Sequence, residues 1–245
     1  KYFIEGFLDL LEEAVRMHLI SDVPLGAFLS GGIDSSAMVA MMSRTSPERV
    51  NTFTIGFGGD VGGYLDERGY ASMVAERYAT NHREYEVFPD PRGLVEKIVR
   101  SFDEPFADDS TIPSYFVCKI AREHVTVTLS GLGGDEAMGG YERYLGFMLR
   151  AVYNRLPFFF REKLVRSMVE SLPERADGHY TVNHMKRFIR SASLNPGLAY
   201  YGFISKMPQD LARSFYTAQE RYNDYSDQCR DTILDNFNSA NVDAP

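Results

Sequence analysis

The stretch that decides the fold is SGGIDSS at residues 30–36. It follows the apolar run Val23–Leu29 and precedes a helical pattern over Asp34–Arg44. Two adjacent glycines let the backbone turn sharply and approach a ligand closely. The helix that follows presents unpaired N–H groups and the positive end of its dipole to an anion. The stretch therefore predicts a phosphate-binding turn between a buried strand and a helix.

Asp34 is the unusual member of this turn, because a carboxylate beside phosphate oxygens repels them unless a cation lies between. We therefore predict that Asp34 is a Mg²⁺ ligand, while the hydroxyls of Ser30, Ser35 and Ser36 add hydrogen-bond donors. The G-x-x-x-x-G-K-[ST] pattern does not occur in the sequence, so γ-phosphate transfer is the less expected chemistry. A Gly-Ser turn without function is the alternative, since short motifs of this kind often match by chance.

Outward from this turn, apolar runs alternate with helical periodicity. Helices are predicted over the first twenty residues and over Asp34–Arg44, Tyr70–Tyr78, Gly93–Phe102 and Ser114–Glu123; strands over Val23–Leu29, Val50–Phe57, Arg83–Phe88 and Val125–Leu129. Nearly continuous apolar strands alternating with helices indicate a doubly wound, mostly parallel α/β sheet over residues 1–150. Residues 151–236 show only helical periodicity and are predicted to form a helical extension, and residues 237–245 a fraying tail.

A second glycine-rich turn, LSGLGGDE at residues 129–136, repeats the same order of strand, Ser-Gly turn, acid and helix. In a doubly wound sheet the carboxyl ends of the strands gather at one edge, so both turns can face one ligand. We expect Asp34 and Asp135 to share one Mg²⁺. Glu136 is a candidate catalytic residue, although an acid in the first turn of a helix is also favoured by the helix dipole alone.

The Ser-Gly-Gly-x-Asp-Ser turn resembles the pyrophosphate loop (PP-loop) of the ATP-pyrophosphatase superfamily. The stretches 21–26, 103–108 and 129–144 resemble the synthetase domain of glutamine-dependent asparagine synthetases and the related β-lactam synthetase. This resemblance covers about Phe3–Tyr144. It implies a sheet of the adenine-nucleotide α-hydrolase type and a ligase that cleaves ATP to AMP and pyrophosphate, adenylates a carboxylate and then forms an amide, as in asparagine biosynthesis.

The resemblance also implies roles for individual residues. Adenosine would lie beside Leu29 and Ile55, with Ser130 and Gly131 also contacting the nucleotide, and Glu136 would lie near the activated carboxylate. Apolar strand residues usually belong to the core, so backbone atoms of Leu29 and Ile55 would do the binding. The pyrophosphate would be held by the first turn: Ser30, Gly31, Gly32, Asp34, Ser35 and Ser36.

Three departures from the family pattern bear on function. The chain begins at Lys1 rather than a nucleophilic cysteine, so ammonia would come from an N-terminal glutaminase domain absent here or from solution. A C-terminal segment with a catalytic lysine is also absent, which predicts an incomplete and not fully active synthetase. Ala107, Asp108 and Asp109 stand where bacterial members carry Thr and Arg for binding aspartate, and two acids cannot clamp a carboxylate as Arg does. Either an Arg comes from elsewhere or the amidated acid is not free aspartate, so the acid is expected to be aspartate or a related one.

Composition and charge indicate which classes of binding partner are unfavourable. A net charge of −8 disfavours nucleic acid, and apolar runs such as Leu156–Phe160 are too short to span a membrane. The two cysteines, Cys118 and Cys229, lie far apart, which favours a reducing cytoplasm over a disulfide framework or metal site. The family resemblance implies a small-molecule carboxylic acid substrate, and a homodimer is one assembly to test. Other functions stay open: β-lactam-type ring closure, amidation of an acid other than aspartate, tRNA modification by another ATP-pyrophosphatase, and nucleotide binding without catalysis.

Overall fold

The computed structural model describes residues 2–58, 66–88, 91–102, 108, 110–173, 181–205, 214 and 219–240. The chain divides into two compact units, Lys1–Ala137 and Met138–Pro245. The division falls before position 150, at which the sequence pattern changes. Within the described ranges, no helix is both long enough and apolar enough to cross a membrane.

The first unit is an α/β structure with a four-stranded parallel sheet in the order β3-β2-β1-β4. The strands are β1 (Leu25–Phe28), β2 (Asn51–Phe57), β3 (Asn81–Val87) and β4 (Val127–Leu129). Its helices are α1 (Tyr2–His18), α2 (Ile33–Thr45), α3 (Arg68–Arg77), α4 (Pro91–Phe102), α5 (Thr111–Ala121) and α6 (Gly134–Met138). The predicted elements are confirmed, with ends shifted by a few residues.

Helices cover both faces of the sheet, as a doubly wound fold requires. On one face the core contains Val15 of α1, Val39 of α2 and Ala71 of α3 around β1. On the other face Phe53 of β2 packs with Ala121 and Val125. The apolar strands predicted from the sequence are therefore buried between two layers of helices.

Strand order places the two glycine-rich turns side by side. The chain runs from β1 outward through β2 to β3, then returns to the other side of β1 as β4. The pairing of β1 with β4 is parallel, and Ala27 lies opposite Leu129. Open α/β sheets bind ligands in the crevice where the strand order reverses, at the carboxyl ends of the strands. That crevice lies between β1 and β4, where both turns begin.

The second unit contains α7 (Glu142–Tyr153), a π-helical segment (Phe160–Val165) continuing into α8 (Arg166–Glu170), α9 (Thr181–Ala192), α10 (Pro196–Ile204) and α11 (Gln219–Ser239). The predicted helical character of this region is confirmed. Asn195 caps α10 by accepting a hydrogen bond from the Leu198 N–H at 2.9 Å.

The end of α11 differs from the fraying expected over residues 237–245. The helix runs to Ser239. The Phe237 ring packs 5.9 Å from that of Phe147 and 5.8 Å from that of Tyr200, between ring centroids. These contacts hold the last turn, and residues 241–245 lie outside the described part of the chain.

The polar cluster of Thr52, His82 and Glu84 on β2 and β3 predicts that a lower pH destabilises the first unit. The Nδ1 atom of His82 lies 2.8 Å from the hydroxyl of the fully buried Thr52. Its Nε2 atom lies 3.3 Å from Glu84 Oε1, outside hydrogen-bonding geometry. Burial lowers the pKa of His82 below its ordinary value, although Glu84 opposes the shift. The folded protein therefore binds this proton less readily than the unfolded chain.

We accordingly expect the free energy of unfolding to fall as the pH drops below about 6.5, the pKa of an unfolded histidine. Urea titrations at about pH 7.5 and 5.5 would measure this, with His82→Gln expected to weaken the dependence. The matched control is His18→Gln, on the exposed side of α1, which should leave the dependence intact. A pH dependence that His82→Gln leaves unchanged would assign the effect to other groups.

Candidate functional site

The first turn is braced by its own serine hydroxyls. Ser35 Oγ donates to the carbonyl of Gly32 at 3.2 Å and lies 3.0 Å from Ser30 Oγ, which accepts a hydrogen bond from the Gly32 N–H at 3.2 Å. The Ser30 N–H in turn donates to Ser35 Oγ at 3.3 Å. Ser30 and Ser35, predicted as donors to phosphate, thus also fix the shape of the turn.

Ser36 and the start of α2 leave hydrogen-bonding capacity unused. Ser36 Oγ is buried and has no hydrogen-bond partner among the described residues. Gly32 precedes the first residue of α2 and supplies no side-chain cap to the helix N–H groups. An uncapped helix start with its dipole directed at the turn suits an anion.

Gly31 is required for two reasons. Its φ of +81° lies in the left-handed region that disfavours residues with a Cβ atom. A Cβ added there would also lie 2.5 Å from the carbonyl carbon of Tyr70 and 2.6 Å from the nitrogen of Ala71. The turn therefore packs directly on the backbone of α3, a contact that the sequence motif does not reveal.

The second turn packs against the first at Asp34. A Cβ added to Gly131 would lie 2.8 Å from the nitrogen of Ser35 and 3.0 Å from the Cβ of Asp34. A Cβ added to Gly134 would lie 2.6 Å from Asp34 Oδ2 and 2.7 Å from Oδ1. The sequence suggested that these glycines permit close approach of a ligand, whereas in the structure they permit close approach of the two turns.

This contact brings the predicted acids to one edge of the sheet. Asp135 directly follows Gly134 and is partly buried, and Glu136 is exposed one residue further along α6. Ser130 immediately follows β4 and is partly exposed. Among the described residues, no group of three or more His, Cys, Asp or Glu side chains forms a metal site made of protein ligands alone.

Leu29 and Ile55 lie at the neighbouring strands. The Leu29 side chain is 1% exposed and belongs to the core, while its N–H donates to the Phe53 carbonyl at 2.9 Å. Ile55 is partly exposed near the carboxyl end of β2, opposite Tyr85 of β3. Only the backbone of Leu29 can therefore meet a ligand without disturbing the core.

An ion pair at the end of β2 was not predicted. The Arg68 guanidinium donates to both carboxylate oxygens of Asp66, at 2.8 and 2.6 Å, and packs over the backbone of Gly56. Hydrogen bonds from the Arg68 side chain and N–H lower the pKa of Asp66 to about 2. This pair fixes the start of α3, the helix on which Gly31 rests. An Asp and an Arg two residues apart are too common for the sequence to indicate it.

The acidic stretch proposed as a departure from the family is described only at Asp108. Its carboxylate accepts a hydrogen bond from the Ser110 N–H at 2.8 Å, just before α5. Residues 103–107 and 109, including Ala107 and Asp109, lie outside the described residues. Asp108 thus has a local role at the start of a helix.

The packing of Gly134 predicts a selective loss of nucleotide binding. In Gly134→Ala the new methyl group displaces the Asp34 carboxylate, which can rotate away at little cost to folding. We expect the affinity for Mg·ATP to fall about tenfold, the effect of one displaced charge-assisted contact. Calorimetric titration measures this, with Gly146→Ala as the control because nothing lies within 4 Å of the added atom. Equal affinities for the two variants would contradict the contact.

The asparagine synthase family model matches residues 6–236. A Methanocaldococcus jannaschii protein, provisionally named a glutamine-hydrolysing asparagine synthetase, is 38% identical over 200 residues, which is 80% of this chain and 37% of that protein. Asparagine synthetase 1 of Bacillus subtilis is 32% identical over 235 residues, covering 88% of this chain and 35% of that protein. Asparagine synthetase B of Escherichia coli is 33% identical over 150 residues, which is 54% of this chain and 26% of that protein.

The chain therefore spans about a third of the length of the first two of these relatives. None of these relatives is named for ring closure or tRNA modification, so the comparisons do not favour those alternatives. Since the match extends over both the glycine-rich turns and the helical region, the chain belongs to the asparagine synthase family.

Proposed function

We propose that this chain is the ATP-using part of an asparagine synthetase. In the first step an oxygen of the substrate carboxylate attacks the α-phosphorus of ATP, and pyrophosphate leaves. In the second step ammonia attacks the acyl carbon, and AMP leaves as the amide forms. The observation that supports this proposal is the contact between the two turns, in which Asp34 packs on Gly134 beside Asp135.

The pyrophosphate would be held by the first turn and the start of α2. The Gly32 residue is exposed and the N–H groups at the helix start have no side-chain cap. Ser36 adds a hydroxyl without a partner among the described residues. The remaining members of this site are Ser30, Gly31, Asp34 and Ser35. Backbone donors fixed before the ligand arrives need no reorganisation, which favours departure of the charged group.

The adenosine would lie against the carboxyl ends of β1, β2 and β4. The backbone of Leu29 and Ile55 would contact it from one side, and Ser130 and Gly131 from the other. The relevant strands are adjacent in the order β2-β1-β4, so these residues border one crevice. Glu136, exposed at the same edge, would lie near the activated carboxylate.

The residues present fit a bound Mg²⁺. Asp34 and Asp135 supply hard carboxylate oxygens in two contacting turns, and Mg²⁺ is usually held by one or two carboxylates together with phosphate oxygens rather than by a full protein cage. Residues 30–36 and 130–137 contain three acids and no Lys or Arg. When bound, the ion would neutralise the charge on the phosphates.

The substrate and partners follow from the names of the relatives. These are glutamine-hydrolysing asparagine synthetases, which supports aspartate or a related acid as substrate and a glutaminase domain as the source of ammonia. Use of ATP and amino acids would place the reaction in the cytoplasm. A homodimer is part of the proposal and is tested by the mass measured in solution.

The products of ATP cleavage test the proposed reaction. The chain is incubated with Mg·ATP, aspartate and an ammonium salt, and phosphorus NMR follows the products. AMP and pyrophosphate are expected; ADP and phosphate would contradict the proposal. Binding of α,β-methylene ATP, measured by calorimetry with and without Mg²⁺, gives a readout that does not need turnover, and its absence would equally contradict the nucleotide site.

A further inference from the structure

One tyrosine beside the first glycine-rich turn is not explained by the packing of the fold. Tyr70 lies in the first turn of α3 and is 66% exposed. Within the described ranges, its hydroxyl forms no hydrogen bond and its ring has no aromatic or cationic neighbour. A single exposed side chain of this size is common and needs no explanation. Its position in the molecule therefore decides whether it has a role.

The position of Tyr70 is set by contact with the turn. A Cβ added to Gly31 would lie 2.5 Å from the Cβ of Tyr70 and 2.5 Å from its carbonyl carbon. Since Gly31 belongs to the turn proposed to hold pyrophosphate, the tyrosine side chain starts in contact with that turn. The α3 helix follows β2, so its first turn lies at the carboxyl edge of the sheet, where both glycine-rich turns begin. The phenol therefore extends from the border of the candidate site.

The backbone that carries Tyr70 is fixed by its neighbours. Arg68 donates to both carboxylate oxygens of Asp66 and packs over Gly56 of β2. On the other side of Tyr70, Ala71 is fully buried in the core. These contacts fix the first turn of α3 without using the tyrosine ring. A donor that is held in place before the ligand arrives needs little reorganisation to bind it.

The composition of the first turn indicates which ligand atoms the phenol would meet. Residues 30–36 contain three serines and one aspartate but no Lys or Arg. Phosphate oxygens that Mg²⁺ does not contact would therefore be met by N–H and hydroxyl donors, and a tyrosine hydroxyl is such a donor. Its hydrogen bond to a charged oxygen corresponds to about a tenfold to hundredfold gain in affinity.

We propose, resting on the function proposed above, that Tyr70 is a further binding residue for the nucleotide, and that its hydroxyl donates a hydrogen bond to the pyrophosphate part of ATP. The contact with Gly31 favours pyrophosphate over adenosine, which would lie against the ends of the strands. Tyr70 keeps its proton and forms no covalent bond, so the hydrogen bond would persist as pyrophosphate leaves. Free pyrophosphate should therefore depend on Tyr70 as ATP does.

Calorimetry with Mg·pyrophosphate and with α,β-methylene ATP tests this assignment. Tyr70→Phe keeps the ring and removes only the hydroxyl, and it should lower the affinity for both ligands about tenfold. Urea titration should show unchanged stability, because the hydroxyl has no partner among the described residues. The matched control is Tyr78→Phe, about 12 Å further along α3, which should bind both ligands as the unaltered chain does.

Nitration by tetranitromethane gives a second readout that needs no substitution. Peptide mass spectrometry should show that Mg·pyrophosphate protects Tyr70, while Tyr2, which is 82% exposed on α1, is nitrated equally with and without the ligand. Unchanged affinity of Tyr70→Phe for Mg·pyrophosphate, or equal nitration of Tyr70 in both conditions, would overturn the assignment and leave the proposed function intact. A chain that binds neither ligand would contradict the proposed function and this assignment together.

Discussion

Replacing Asp34 by alanine is expected to lower the affinity for Mg·ATP at least about hundredfold. The carboxylate lies where the two turns meet, and it is one of only two aspartates in them. Truncating one partner of a close charge pair typically costs about 3 kcal/mol, which corresponds to this factor. The α2 helix should persist, because the Asp34 side chain contributes nothing to the core clusters.

Calorimetry with α,β-methylene ATP measures this loss, and circular dichroism confirms that the fold is kept. The control is Asp9→Ala, an exposed aspartate of α1 that precedes β1 in the chain. The Asp9→Ala chain has the same net charge as the Asp34→Ala chain, so a general effect of net charge on nucleotide affinity is the same in both. An Asp34→Ala variant that binds Mg·ATP as the control does would remove the basis for a metal at this position.

Gly31→Ala is expected to destabilise the first unit by about 2–5 kcal/mol. A residue with a Cβ at the φ of +81° costs about 1–2 kcal/mol, and the clash with the backbone of Tyr70 and Ala71 adds about 1–3 kcal/mol. Backbone atoms cannot rotate away as a side chain does, so the turn or α3 must shift. Urea titration measures the free energy of unfolding.

The control for this variant is Gly69→Ala, in the first turn of α3. Nothing lies within 4 Å of the added Cβ, and alanine favours helix over glycine by about 0.5–1 kcal/mol. The two alanine substitutions should therefore change stability with opposite signs. A Gly31→Ala chain as stable as Gly69→Ala would show that the turn does not rest on α3.

The strands of the sheet could be predicted because they are short apolar runs ending in glycine-rich turns. Val50–Phe57 predicted β2 to within one residue, since both faces of that strand are covered. The predicted start of β4 lies two residues early, because Val125 is buried like a strand residue but lies in the connection between α5 and β4. The periodicity of apolar residues indicates which residues are buried but not which residues pair in the sheet.

The site was predicted less completely than the fold. The motifs singled out Asp34 and Asp135 as candidate metal ligands, because an acid in a turn predicted to bind phosphate needs a chemical reason. They did not reveal that Gly134 fits against Asp34, or that Arg68 and Asp66 fix the start of α3. The first contact joins residues far apart in the chain, and the second depends on the path of the backbone. Neither kind of contact produces a repeating pattern in the sequence. The π-helical segment Phe160–Val165 was missed for a similar reason.

A double-mutant cycle on the two aspartates tests the central claim most directly. Mg·ATP affinity is measured by calorimetry for the unaltered chain, Asp34→Asn, Asp135→Asn and the double variant. If both carboxylates hold one ion on the pyrophosphate, the first substitution removes most of the affinity, and the second adds much less than it costs alone. Two losses that add within about 0.5 kcal/mol would mean that the aspartates act independently, which would contradict a shared metal.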